Sequence, residues 1–351
     1  MKPRIMKLSR RNFLHLAAGA AALPAVSRFA WAQAYPSRPV RIIVGFPAGG
    51  GVDILARLMG RWLSERLGHQ FVIENQPGAG TNIATEAVVN ASPDGYTLLM
   101  AGASNAINAT FYDKLNYNFI RDIAPVAGIM RAPLVMVVIP SFPAKTVPEF
   151  IAYSKANPGK INMASPGNGT AGHLCGELFK MMAGVDMVHM PYRGGASALA
   201  GLIGEKVQVM FDGILLASEH IKTGKLRGLA ITTVTRAETL SDIPTVGEFV
   251  PGYEASVWFG VGAPRNTPTD VVDRLSREIN AGLADPKIKA QLAEMGSSLL
   301  AGSPADFGRL IAEETEKWGK VRASRQIDPA VSEPRSIKPV LRTAPPAVVR
   351  P

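Results

Sequence analysis

Cysteine and histidine are scarce in this chain. Cys175 is the only cysteine among 351 residues. A lone thiol cannot form an internal disulfide, and it removes every cysteine-rich metal pattern. The histidines that follow residue 34 stand apart, without the paired spacing of a zinc-binding helix: His69, His173, His189 and His220. The sequence therefore predicts a fold held by packing, with a buried Cys175, no metal and no cofactor.

The body of the chain also lacks an excess of positive charge. The formal net charge is +10, but six basic residues and no acidic ones precede residue 35. The segment from Asp328 to Pro351 holds two more of the excess charges, which leaves about +2 for residues 35–327. Nucleic-acid binding needs clustered Lys and Arg on the folded domain, so the sequence excludes it. The Pro-rich tail from Asp328 has no helical periodicity, which predicts disorder.

Nucleotide and nucleophile motifs are missing as well. No G-x-G-x-x-G spacing and no Gly-Lys-Ser or Gly-Lys-Thr is present. The segment Gly102-Ala103-Ser104-Asn105-Ala106 approaches a nucleophile elbow but has Ala106 where the second glycine is required. A catalytic site would need His173 or His189 beside a carboxylate such as Asp53 or Asp212 in a cleft. The spacing of these residues does not require that arrangement, so an enzyme acting on small acids stays an alternative.

Long apolar runs are confined to the start of the chain. Residues 1–34 combine a basic start, an apolar run of about 14 residues and Ala32-Gln33-Ala34, as in an export signal. That run is shorter than the roughly 20 residues of a membrane span. The stretch Ser9-Arg10-Arg11-Asn12-Phe13-Leu14 matches a twin-arginine signal, with an ordinary secretory signal as the alternative. We expect a soluble protein exported to the bacterial periplasm.

Strand and helix patterns alternate through the body. The β-branched run Val40–Val44 precedes a helical pattern over 52–67, and the unit recurs at 71–73 and 97–100. A second series begins near Leu134, continues through a helix over Val147–Ala156 and ends near Tyr253. A strand over 257–261 and helices over 268–283, 286–295 and 304–324 follow it. This alternation predicts an α/β fold with parallel strands.

The chain is long enough for two domains. If the last helices pack on the first sheet, the chain crosses between domains near Val137 and near Ser256. The expected domains are then 35–137 with 256–327, and 138–255. A single long doubly wound sheet is the alternative.

The loop after the first strand, Gly45 to Asp53, holds three successive glycines before a helix. Glycine lets backbone N–H groups approach a ligand, and a helix N-terminus favours an anion. The loop therefore predicts a cradle for an anion, although Asp53 alternatively serves only the first helical turn. A comparable loop, Ser165 to Thr170, precedes a helix over 171–182. Arg193 is the candidate side chain for binding a carboxylate, because its guanidinium can donate two hydrogen bonds to it.

Five motifs stand in a distinctive order: Gly45-Phe46-Pro47-Ala48-Gly49-Gly50-Gly51-Val52-Asp53, Asn75-Gln76-Pro77-Gly78-Ala79-Gly80, Ser92-Pro93-Asp94-Gly95-Tyr96-Thr97-Leu98-Leu99, His189-Met190-Pro191-Tyr192-Arg193-Gly194-Gly195 and Asp242-Ile243-Pro244-Thr245-Val246. Their identity and order resemble the receptors of tripartite tricarboxylate transporters, the Bug family of periplasmic solute-binding proteins. The likeness spans about Tyr35 to Gln326. The resemblance implies a two-domain Venus-flytrap fold that delivers a small carboxylate to a membrane permease without catalysis. A monomer is expected.

The resemblance also implies a binding site between the two domains. The expected ligand-binding residues lie in loops at strand ends: Phe46, Ala48, Gly49, Gly50, Gly51, Asp53, Gly80, Ser104, Asn105, Ser165, Gly167, Asn168, Gly169, Thr170, Arg193 and Asp212. The sequence departs from the family at Gly213, where an Asn is frequent, and at Ala48, where a second Pro is frequent. A structural or adhesive protein, which needs no pocket, is the third alternative.

Overall fold

The computed structural model describes residues 35–112 and 114–323. The predicted export signal and the Pro-rich tail lie outside these residues. Two sheets, each with its own helices, organise this part of the chain. We call the first sheet with its helices lobe 1 and the second sheet with its helices lobe 2.

Lobe 1 contains six strands in the order β11-β4-β10-β3-β1-β2. Their bounds are β1 Val40–Val44, β2 Phe71–Asn75, β3 Thr97–Gly102, β4 Ile123–Ala132, β10 Val257–Pro264 and β11 Ser298–Leu299. Its helices are α1 Gly51–Leu67, α2 Asn82–Val89, α3 Ala103–Phe111, α4 Phe119–Asp122, α9 Thr269–Ala284, α10 Pro286–Glu294 and α11 Pro304–Ala323. A short 3-10 helix covers Ala79–Thr81.

Lobe 2 contains five strands in the order β7-β6-β8-β5-β9. Their bounds are β5 Leu134–Val138, β6 Asn162–Ser165, β7 Val188–Pro191, β8 Val209–Gly213 and β9 Arg227–Ile231. Its helices are α5 Val147–Ala156, α6 Ala171–Ala183, α7 Gly195–Ile203 and α8 Ile214–Lys222. Short 3-10 helices cover Glu238–Leu240 and Val246–Glu248.

The strand and helix that open lobe 1 form where the residue pattern predicts them. In β1 the apolar side chains are buried, and Arg41 is the exposed exception. In α1, Leu55, Met59 and Leu63 recur at helical spacing and are fully buried, so this face packs on the sheet. The helix ends at Gly68, whose φ of 74° is the left-handed conformation that favours glycine at this position.

Both sheets are mixed, which corrects the expectation of parallel strands. β1 pairs parallel with β2 and β3, whereas β10 runs antiparallel between β3 and β4. In lobe 2, β6 pairs parallel with β7 and β8, but β5 is antiparallel to β8 and β9. The antiparallel strands β5 and β10 each follow a change of sheet, whereas the two-residue strand β11 is antiparallel to β4 within lobe 1. A strand that enters from the other lobe is not bound by the crossover rule for parallel units.

The chain changes sheet at Pro133, between β4 and β5, and again between Ile231 and Val257. The expected boundary after Val137 falls inside β5, so the first crossing lies at Pro133 instead. The interval of the second crossing contains Ser256.

Thr232 joins the segments that lead into and out of lobe 2. Its hydroxyl accepts a hydrogen bond from the Leu134 amide at 2.8 Å and donates to the Leu134 carbonyl at 3.1 Å. Its carbonyl accepts from the Ala255 amide at 2.9 Å. Both crossing segments are therefore hydrogen-bonded to one fully buried residue.

Each lobe has an apolar core, and Ala171 and Leu174 of lobe 2 also pack in the core of lobe 1. In lobe 2, Phe179 packs between Phe150 and Phe211, while in lobe 1 Trp258 meets Phe307 edge to face with ring centroids 5.6 Å apart. Cys175 is a buried free thiol, as predicted, and burial raises its pKa to about 12. Apolar packing stabilises both lobes.

Candidate functional site

A cavity of about 160 Å³ lies between the lobes. The first turns of five helices line it: α1 and α3 from lobe 1, and α6, α7 and α8 from lobe 2. The lining residues at these helix starts include Gly51, Ser104, Ala171, Gly195 and Ile214. Each of these helices follows a strand, so the strand ends of both sheets point toward the same space.

The starts of these helices are built for close approach by an anion. Gly50, Gly194 and Gly213 are the N-cap residues of α1, α7 and α8, and no side chain caps these helices. Thr170, at the start of α6, likewise makes no side-chain cap bond. The first N–H groups of a helix have no partner within the helix and carry its positive dipole end. Several such ends around one cavity create a site for negative charge without a cluster of cations.

The remaining wall of the cavity is apolar. Its side chains come from both lobes and include Phe46, Met130, Leu134, Val257, Phe259 and Met295. Among the described residues that line the cavity, only Arg193 and Asp212 carry charge. The Arg193 side chain is exposed, so it stands at the rim, whereas Asp212 is 4% exposed.

Asp212 is the next-to-last residue of β8, and Gly213 separates it from the start of α8. Its Oδ2 atom is buried and has no hydrogen-bond partner in the described part of the chain. Burial raises its pKa to about 7, and a hydrogen bond from the Gly213 amide opposes that effect. The carboxyl group therefore gains and loses its proton near neutral pH, inside the cavity.

Asp53 holds the first glycine loop in place instead of facing the cavity. Its Oδ2 accepts hydrogen bonds from the Gly49 amide and from Arg57 Nε, both at 2.9 Å, and its Oδ1 accepts from Asn75 Nδ2 at 3.0 Å. Burial alone would raise the pKa of Asp53, but these donors hold the pKa below its usual value. The ionised carboxylate fixes the loop that begins α1.

Two stacked histidines contact the loop over residues 165–170. The rings of His173 and His189 are 3.8 Å apart at their centroids and nearly parallel. His173 Nδ1 accepts from the Gly169 amide at 3.2 Å, and His189 Nε2 lies 2.6 Å from Ser165 Oγ. Burial lowers the pKa of His189 to about 4 and places that of His173 well below its usual range. Both rings are therefore neutral at physiological pH and support the loop over 165–170.

A larger cavity of about 680 Å³ adjoins the first and shares Phe46, Thr170 and Arg193 with it. One of its walls is the loop that contains Gly80, where Ala79 and Thr81 also have positive φ values of 45° and 87°. Such strained residues persist only where their surroundings hold them. Asn105 does so by donating to Thr81 Oγ1 at 3.1 Å, while it accepts from the Gly102 amide at 2.7 Å.

The two lobes meet at glycines beside these cavities. A Cβ atom on Gly194 would lie 2.9 Å from Pro47 Cγ. A Cβ on Gly80 would collide with the Asn168 carbonyl, and one on Gly169 with the Asn108 side chain. These three positions let the backbones of the two lobes approach to a distance that any larger residue would prevent.

The structure brings many of the predicted ligand-binding residues to a cavity wall. The first cavity is lined by Phe46, Ala48, Gly50, Gly51, Ser104, Thr170, Arg193 and Asp212, and the second by Gly80, Gly167 and Asn168. The cavity walls do not include Gly49, Asp53, Asn105, Ser165 or Gly169. These residues take part in hydrogen bonds that position the loops. Sequence analysis missed the apolar wall and the first turn of α8.

In the described part of the chain, the two buried histidines have partners other than Asp53 and Asp212. His173 has Glu177 Oε1 at 3.9 Å, and His189 has Ser165, so neither is paired with Asp53 or Asp212. Among the described residues, no cluster of three or more potential metal ligands occurs. No helix in that part of the chain is long and apolar enough to cross a membrane.

Two α/β lobes joined by two crossings, with an anion-attracting cavity between them, define the class of periplasmic solute-binding proteins. The family described as tripartite tricarboxylate transporter family receptor matches residues 55–327. The chain therefore belongs to this family.

Relatives and solved structures agree with this assignment. Protein BugT of Bordetella pertussis is 34% identical over 293 residues, which cover 83% of this chain and 90% of BugT. The structure of R. palustris Rpa4515 with adipate is 37% identical, has a TM-score of 0.80 and covers 83% of this chain and 98% of Rpa4515. MatC from Rhodopseudomonas palustris with bound malate is 30% identical, has a TM-score of 0.78 and covers 82% of this chain and 99% of MatC.

Proposed function

We propose that this protein is the periplasmic receptor of a tripartite tricarboxylate-type transporter, which captures a small carboxylate between its lobes and presents it to the membrane permease. The observation that carries the proposal is the convergence of five helix starts from both lobes on one cavity. Each helix end supplies only part of the hydrogen bonding that a carboxylate needs. Closure of the lobes therefore completes the site.

The proposal includes export to the periplasm and binding without catalysis. The twin-arginine pattern at Ser9–Leu14 supports export of the folded protein to the periplasm. Binding without catalysis is supported by the neutral histidines, which are engaged with loop residues and not with Asp53 or Asp212. The proposed domains are 35–132 with 257–323, and 134–255, and the sheet to which each strand belongs supports this division.

The first test is thermal unfolding of the purified protein against a panel of small carboxylates, amines and neutral sugars. A ligand that binds only the folded state raises the unfolding midpoint by mass action. We expect at least one carboxylate to raise it and the amines and sugars to leave it unchanged. If amines or sugars raise the midpoint and no carboxylate does, the anion site is refuted.

Gly50→Val provides a variant for the same assay. Gly50 has φ −83° and ψ 166°, a conformation open to valine, and a Cβ there meets only the Pro47 carbonyl at 3.6 Å. The variant is therefore expected to fold while its side chain fills the cavity mouth beside α1 and abolishes the carboxylate shift. A normal shift in the folded variant would remove this loop from the site.

A further inference from the structure

The cavity distributes charge unevenly. Helix starts supply positive potential, and Arg193 adds one cation at the rim. The apolar wall formed by Met130, Leu134 and Met295 offers no hydrogen-bond donor from its side chains. A carboxylate placed against that wall would lose its hydration without a partner, which is strongly unfavourable.

Asp212 adds a second reason to exclude negative charge. Its buried Oδ2 has no partner and its side chain lines the same cavity. When ionised, it repels a further carboxylate in a medium that screens charge poorly. A ligand with one carboxylate can place that group at the helix starts. A ligand with two needs another helix start or Arg193 for the second group, because elsewhere in the cavity that group meets the apolar wall or Asp212.

Building on the proposed function, we infer that the preferred ligand is a monocarboxylic acid with an apolar aliphatic or aromatic body, and not a di- or tricarboxylate. This ligand class differs from the dicarboxylates adipate and malate held by two of the similar structures. The body of the acid lies against the apolar wall, and its burial supplies affinity in proportion to the apolar area covered.

The test uses two pairs of acids that differ in a single carboxylate: hexanoate against adipate, and benzoate against terephthalate. Isothermal titration near pH 8 keeps every acid ionised. We expect each monocarboxylate to bind at least tenfold more tightly than its dicarboxylate partner. Equal or tighter binding of both dicarboxylates overturns this inference but leaves the receptor function standing. Hexylamine and hexanol serve as controls, because binding of these compounds and of no acid refutes the proposed function itself.

Two variants locate the discrimination in the cavity. Asp212→Asn removes the charge with little change in shape, so the ratio of hexanoate to adipate affinity should fall several-fold. Met295→Lys places a cation in the apolar wall and should favour adipate. Met190→Lys is the matched control, because Met190 is 40% exposed and lies outside both cavity walls. An unchanged ratio in Asp212→Asn, with the same ratio in both lysine variants, would show that neither group sets the preference.

Discussion

Asp212→Asn should change the pH dependence of stability more than any other single substitution in the cavity. The ordinary pKa of an aspartate is near 3.8, and burial raises that of Asp212 to about 7 in the folded protein. A pKa raised by folding means that the folded state holds the proton more tightly. The stability contributed by the neutral carboxyl is complete below pH 3.8 and is lost as the pH rises through 7.

The size of the loss follows from the two pKa values. At about 1.4 kcal/mol for each pKa unit, the wild type should lose about 4 kcal/mol across this range, and an asparagine loses nothing. Urea unfolding of both ligand-free proteins near pH 4 and near pH 8 measures the effect. Relative to the wild type, the free energy of unfolding of the variant should rise by about 3 to 4 kcal/mol from pH 4 to pH 8. All other titrating groups are shared by the two proteins and cancel in this comparison.

An equal difference between the two proteins at both pH values would refute this reasoning. It would mean that Asp212 is already ionised in the folded protein near pH 4, so the cavity is wet enough to hold its charge. The buried, unpartnered Oδ2 atom would then have a water molecule as its partner.

The remaining predictions concern closure and the crossing segments. Gly194→Ala should weaken binding of the best carboxylate at least tenfold in isothermal titration, because its Cβ would hold the lobes apart; Gly224→Ala, also at positive φ but with nothing within 4 Å, should leave affinity unchanged. Comparable losses in both variants would attribute the effect to backbone strain. Thr232→Val should lower the free energy of unfolding by about 1 to 3 kcal/mol in urea, because it leaves a buried amide without its acceptor. Thr233→Val, which removes a hydrogen bond at the surface, should lower the free energy of unfolding by only a few tenths of a kcal/mol. Similar losses in the two variants would contradict the role assigned to Thr232.

Local patterns predicted the elements that carry their own signals. The helix over Val147–Ala156 begins at Thr146, whose hydroxyl accepts from the Glu149 amide, and Pro148 lies in its first turn. The strand β4 was not predicted, because Pro125, Gly128 and Arg131 interrupt the apolar pattern over Ile123–Ala132. It forms because β10 and β11 pair with it from distant parts of the chain. Such tertiary pairing leaves no signal in the local sequence.

The candidate site was predicted less completely than the fold. A short polar residue beside a glycine loop can face a ligand or bind its own loop, and the sequence does not distinguish the two. Asp53 and Asn105 bind loop amides, whereas Asp212 lines the cavity. The apolar wall was missed because its residues come from β4, β5, β10 and the end of α10, which meet only after both sheets are assembled.

The glycine contacts between the lobes have a kinetic consequence. Gly80, Gly169 and Gly194 each bring one lobe against the other beside the cavities, so a bound acid leaves only after these contacts separate. Opening breaks the contacts of an acid that bridges helix starts of both lobes, so the opening rate, and with it the dissociation rate, falls as those contacts strengthen. A permease that pulls the lobes apart would shorten the residence time of every acid.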